Sequence, residues 1–187
     1  MINVTDMRKG VTVEMDGNLY QVLDYAHIKN ARGSAQVKVK LRDVRGGHII
    51  DKSFQATHKL PRARIERQTV QYLYQDGDLF YFMNKETYDQ TPVNVNQVGE
   101  AAQYLAENAD CSLLTYGDEA IGVEVPAAVV LTVKDTEPGL KGDTASGATK
   151  PAKMESGLVV NVPLFINPGD KLKIDTRSGE YAERASD

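Results

Sequence analysis

The sequence predicts an all-β protein made of small β-barrels, and three observations carry that expectation. Short runs of alternating apolar and polar residues recur along the chain, the period-two pattern of half-buried strands. Turn dipeptides such as Asp16-Gly17, Gly46-Gly47 and Asp76-Gly77 separate these runs and supply the positive φ that tight hairpins require. Only residues 97–107 carry a helical stripe, with Val98, Ala101, Ala102 and Leu105 on one face.

The elements follow in chain order. Residues 11–15 and 19–25 flank Asp16-Gly17, and 37–44 and 48–54 flank Gly46-Gly47. Residues 69–75 and 79–83 flank Asp76-Gly77, with the helix at 97–107 after them. Residues 111–116 and 119–125 meet at Gly117-Asp118, and 171–175 and 180–183 at Ser178-Gly179. Proline cannot donate to a ladder, so Pro61 and Pro126 mark boundaries. The expected domains are 1–63, 64–127 and 128–187, each near the lower size limit for a self-sufficient core. In the third, residues 137–151 read as a long Gly-, Thr- and Ser-rich loop with a strand on each side. Loops of that length are usually functional or disordered, and the flanking strands favour function.

Charge is unevenly spread over the 187 residues. Residues 1–64 hold twelve Lys/Arg against six Asp/Glu, a net +6, whereas 65–127 hold two against eleven, a net −9. A basic third of this kind is the footprint of a polyanionic partner. The acidic middle argues against wrapping along nucleic acid over the full length, since phosphates would repel it. No apolar run reaches the roughly 20 residues needed to span a bilayer. The N-terminus lacks the pattern of a secretory signal. The single cysteine, Cys111, suits a reducing compartment, so a cytoplasmic location is expected.

Between the runs 19–25 and 36–41 lies Lys29-Asn30-Ala31-Arg32-Gly33-Ser34-Ala35. This reads as a hairpin loop of small residues with one long side chain, Arg32, at its tip. A guanidinium there delivers a permanent charge and five donors into a narrow space. Phosphate-loop, zinc-protease and nucleophile-elbow motifs are absent. His27, His48 and His58 are scattered, so neither an enzyme, a metal site nor a cofactor is expected. The aromatics Tyr72, Tyr74, Phe80, Tyr81 and Phe82 fall in the acidic middle, where core packing is their expected role.

The most specific pattern lies near the C-terminus. Lys150, Ala152, Gly157, Val162, Pro163, Ile166 and Gly169 stand at the intervals of a signature, and the chain thereby resembles the bacterial elongation factor P family. Asp6-Met7-Arg8-Lys9-Gly10 and Glu137-Pro138-Gly139-Leu140-Lys141-Gly142-Asp143 extend the resemblance, as does Lys173-Ile174-Asp175-Thr176-Arg177-Ser178-Gly179-Glu180-Tyr181. The resemblance extends over essentially the whole chain.

The resemblance implies a non-enzymatic translation factor of L shape that mimics tRNA. An SH3-like (KOW-like) N-terminal barrel is followed by two OB-folds. Such a factor binds the 70S ribosome between the peptidyl-tRNA and exit sites and relieves stalling at consecutive prolines. Arg32 would reach the CCA end of peptidyl-tRNA, and Lys29, Asn30, Ala31, Gly33 and Ser34 would form the tip around it. Lys38, Lys40 and Arg42 would contact tRNA. The loop Gly142-Asp143-Thr144-Ala145-Ser146-Gly147 would lie near the exit-site codon of the mRNA and ribosomal RNA. Prolyl substrates sample attack geometry poorly because φ is fixed, so positioning alone lowers the entropic part of the barrier.

Many members carry a lysine at the tip, modified by β-lysylation; here Asn30-Ala31-Arg32-Gly33 stands in those places. Chemistry that acylates an amine cannot act on a guanidinium. The resemblance therefore implies an arginine-tip type, with Arg32 either rhamnosylated by an arginine rhamnosyltransferase or used unmodified. Two competing readings remain. One is the elongation-factor-P-like paralogue, whose tip also carries Ala-Arg-Gly. The other is a general single-stranded-RNA-binding OB protein, which calls for aromatic platforms interleaved with basic residues.

Overall fold

A computed structural model describes residues 1–29, 31–139 and 147–186. Strand dominates, as the alternation predicts, and the chain divides into two compact units. One comprises Met1–Gln68 with Leu113–Gly122, the other Thr69–Ser112 with Val123–Asp187.

In the first unit, β1 (Ile2–Asn3) pairs with β6 (Lys59–Leu60), and β2 (Thr12–Met15), β3 (Asn18–Ile28), β4 (Gln36–Asp43) and β5 (Ile49–Gln55) form an antiparallel sheet in sequence order. The β2–β3 turn places Asp16 at φ 53° and Gly17 at φ 79°, the twist-matched two-residue hairpin that this dipeptide favours. The β1–β6 ladder ends before Pro61, but pairing with β2 continues through it, contrary to the expectation that this proline stops pairing. The Pro61 carbonyl accepts from the Glu14 N–H at 2.8 Å, Arg62 bridges Val13, and the Ala63 N–H donates to the Thr12 carbonyl at 2.9 Å. Val4, Met7, Val13, Val22, Val37, Val39 and Leu41 are fully or almost fully buried and make the core. Beside β3, β2 reaches only to Gln21. A bulge then shifts β3 between Val22 and Asp24. The Asp24 carboxylate accepts from the Tyr25 N–H at 3.0 Å, and Lys9 Nζ lies 3.7 Å from Asp24.

The middle strands are β7 (Glu66–Asp76), β8 (Leu79–Asn84), β9 (Gln90–Asn94), β10 (Asp110–Tyr116) and β11 (Glu119–Glu124), in the sheet order β11-β10-β7-β8-β9. Strand β9 escapes the sequence reading because it is short, polar and contains Pro92; it is an edge strand, where proline is tolerated. The predicted helix at 97–107 is corrected. An α-helical turn, Val95–Val98, gives way to a 3-10 helix, Gly99–Tyr104. Gly99 adopts φ 58°, ψ −136° and breaks the α path, though Val98 and Leu105 are still buried.

The aromatic run is corrected as well. Tyr72, Phe80 and Phe82 are core residues, but Tyr74 is 45% exposed. Cys111 is buried, and burial above all, with Asp110 adding to it, pushes its thiol up to about 12. It stays a neutral thiol at physiological pH.

In the C-terminal part, β12 (Ala128–Thr136), β13 (Thr149–Met154), β14 (Val159–Pro163), β15 (Lys171–Asp175) and β16 (Tyr181–Arg184) form a sheet in the order β14-β13-β12-β15-β16. Strand β13 begins at Thr149 and takes Pro151 into its ladder with Asn161, so the loop after β12 is shorter than the expected 137–151. Leu131, Met154, Val162, Ile166, Leu172 and Ile174 are fully buried. These include the signature positions Val162 and Ile166, which are core residues.

Candidate nucleic-acid interface

The hairpin β3–β4 stays in register to Ile28↔Gln36, leaving residues 29–35 as its connection. Lys29, Ala31, Arg32, Gly33, Ser34 and Ala35 are all exposed, and Asn30 lies outside the described residues. Small side chains flank Arg32 directly, so its guanidinium stands clear of its neighbours at the tip, with Lys29 at the start of the connection as a second exposed cation.

Alternation along β4 sorts its residues cleanly. Val37, Val39, Leu41 and Asp43 are buried, whereas Lys38, Lys40 and Arg42 all stand on the opposite, exposed face. The neighbouring strands set their electrostatics. Lys40 is directly opposite Asp24 on β3 and Asp51 on β5, so two carboxylates temper its charge. Lys38 faces Ala26 and Ser53, and Arg42 faces Gln21 and Ile49. Their charge is uncompensated by direct cross-strand neighbours.

At the base of the hairpin, Arg8 sits 5.5 Å above the Tyr25 ring, and His27 meets that ring edge-on at 5.9 Å. Composition alone did not single out this cluster; it forms because β3 runs beyond β2. A separate cleft of about 630 Å³ is lined by Met15, Leu19, Lys52, Phe54, Leu60 and Pro61 among others. His58 stacks on Phe54 at 5.1 Å, and His48 Nε2 lies 3.6 Å from Asp43. Among the described residues, no group of three or more His, Cys, Asp or Glu is placed to hold a metal ion. Among the same residues, no helix is long and apolar enough to cross a membrane.

Of the second predicted contact loop, Gly142, Asp143, Thr144, Ala145 and Ser146 lie outside the described residues, and Gly147 is an exposed turn residue with φ 93°. Lys150 is only 6% exposed, and its ammonium donates to the Glu137 carbonyl at 2.6 Å. Gly139 approaches the backbone of Leu164 so closely that a Cβ would fall 2.6 Å from its carbonyl oxygen.

Three family models match successive segments. Residues 3–60 match the elongation factor P KOW-like domain, 65–123 its OB domain and 129–184 its C-terminal domain. The chain belongs to the elongation factor P family. Elongation factor P of Pelotomaculum thermopropionicum is 52% identical over 98% of this chain and 100% of its own length. That of Thermoanaerobacter sp. is 51% identical with the same coverage. The KOW-like and OB assignments agree with the barrel classes that the family resemblance implied. Among solved structures, eukaryotic translation initiation factor 5A from Methanococcus jannaschii superposes with a TM-score of 0.51. That match spans 65% of this chain and 86% of the other at 21% identity, a likeness of fold alone.

Proposed function

We propose that this chain binds the ribosome between the peptidyl-tRNA and exit sites and speeds peptide-bond formation at consecutive prolines by holding the CCA end of peptidyl-tRNA. The observation that carries this reading is the β3–β4 hairpin, which presents an exposed Arg32 among small residues and exposed Lys38, Lys40 and Arg42 along one face. Cations so arranged engage phosphates and 2′-hydroxyls without offering a general acid or base. Arg32 is a positioning residue in this scheme, and no small-molecule cofactor takes part.

The same reading assigns three working domains at 1–63, 64–127 and 128–187, a cytoplasmic site of action, and an exit-site contact at 142–147. It also places the chain in the arginine-tip type. Arg32 acts either rhamnosylated or bare, and the intact mass of the protein from its native host separates the two.

The deciding experiment is translation of a Pro-Pro-Pro reporter in a purified system with the Arg32→Ala protein. Stall relief should be lost while the melting curve stays that of the parent, because an exposed tip side chain contributes little packing. Full activity of the alanine protein would overturn the assignment.

A further inference from the structure

The five clustered aromatics of the middle region divide between two faces of one sheet. Tyr72, Phe80 and Phe82 pack ring against ring in the core, with centroids 5.6–5.7 Å apart. Strand β7 then shifts register between Tyr72 and Tyr74, so that Tyr74 comes to stand opposite Tyr81 on the other face. Their rings stack at 4.7 Å with an interplanar angle of 19°. Tyr81 is paired in turn with the exposed Pro92 of edge strand β9. Leu79 and Met83, each half-buried, continue the same face on either side of Tyr81. The result is an apolar row across three strands, open to solvent and able to receive a planar group.

Two planar chemistries suit stacked tyrosines: a nucleobase and a guanidinium. Charge separates them. Residues 69–112 contain seven Asp/Glu and one Lys, and that lysine, Lys85, is held by Asp110 at 3.0 Å. Exposed carboxylates stand beyond both ends of β8, on either side of the row, Asp76 and Asp78 at the β7–β8 turn and Glu86 and Asp89 at the β8–β9 turn. A nucleic acid would bring its phosphates into this field and be repelled. A basic polypeptide would be drawn in.

We propose that the Tyr74–Tyr81–Pro92 face docks a basic protein segment, with an arginine side chain stacked on the tyrosine pair and the flanking carboxylates supplying charge complementarity. The assignment does not depend on the role of the β3–β4 hairpin, so the two stand or fall separately.

The test is an NMR titration of the full chain with three probes: a Gly-Arg-Gly-Arg-Gly peptide, its lysine counterpart and a ten-residue oligouridylate. The arginine peptide should shift the Tyr74 and Tyr81 resonances and the β7–β9 amides around them. Tyr74→Ala should weaken that binding about fivefold, the scale of an exposed cation–π contact. Asp76→Asn with Asp78→Asn, which leaves the rings in place, should weaken it and reduce its salt dependence. The lysine peptide should bind several-fold less tightly. Equal binding of both peptides would overturn the stacking claim. Shifts with oligouridylate at comparable concentration would make the face an RNA platform and overturn the proposal. No shift with the arginine peptide up to its solubility limit would also overturn it, leaving the row as solvated surface.

Discussion

Gly139 is held by a close approach that no other residue can make. A methyl group there would meet the carbonyl oxygen of Leu164 at 2.6 Å, and backbone cannot swing aside as a side chain can. Gly139→Ala should therefore cost about 1–3 kcal/mol, the usual range for overpacking. A thermal melt should show a fall of several degrees. Gly46→Ala is the matched control: its added carbon meets the His48 ring at 3.0 Å, and that exposed ring can rotate away, so its melt should change little. Equal melts for the two proteins would show that the Leu164 segment yields freely. The sequence alone marks both positions only as loop glycines. What separates them is a contact with a residue far along the chain, which local pattern does not encode. Arg32 was legible for the opposite reason, since a lone large side chain among Ala, Gly and Ser stands out without any tertiary information.

Strand β4 was equally legible as an element, because its alternation is strict and its interior face is Val37, Val39 and Leu41. The relative weight of its three cations was not, since that depends on which residues of β3 and β5 lie opposite. Lys40, between Asp24 and Asp51, should matter least. In ribosome binding measured across a salt series, Lys38→Gln and Arg42→Gln should each flatten the dependence, as the loss of a phosphate contact does. Lys40→Gln should do so less. Identical slopes for all three variants and the parent would identify the face as merely solvated. The bulge in β7 was hidden for a related reason. One extra residue reverses which side of a sheet every later side chain takes, and nothing in Tyr72-Leu73-Tyr74 announces it. The stripe at 97–107 misled because Gly99 interrupts it, and a helix wheel does not weigh backbone conformation.

At the scale of the whole molecule, the charge division between the first and middle thirds was visible in the sequence, but the pairs that bridge it were not. Arg45 holds Glu119 through two hydrogen bonds of 2.8 and 2.9 Å, and the Tyr116 hydroxyl donates to Glu14. The first contact spans 74 residues of sequence and the second 102. The Arg45 hydrogen bond lowers the Glu119 carboxyl below its ordinary 4.5, against a smaller opposing effect of burial. A depressed carboxylate stabilises the fold above its unfolded value and ceases to do so as pH falls through its folded value. Both partners are well exposed, so the contribution is about 1 kcal/mol or less. Glu119→Gln should lower the melting temperature slightly at neutral pH, and the two curves should converge well below pH 4.5. A constant gap at all pH values would show that the carboxylate's charge is not the source.

The free flank of β3 has a colloidal consequence. Beyond Val22, whose amide and carbonyl still pair with Val11 and Gly10, the strand is no longer covered on this side, and long uncovered strands are where foreign chains add and fibrils begin. Here the bulge between Val22 and Asp24 bends the strand out of line. The Tyr25 amide is already occupied by the neighbouring carboxylate, and a Lys9–Asp24 ion pair sits on the same flank. A newcomer would have to break a hydrogen bond and desolvate two charges before gaining its first rung. The hairpin can thus project from its barrel without offering a ready edge for self-association.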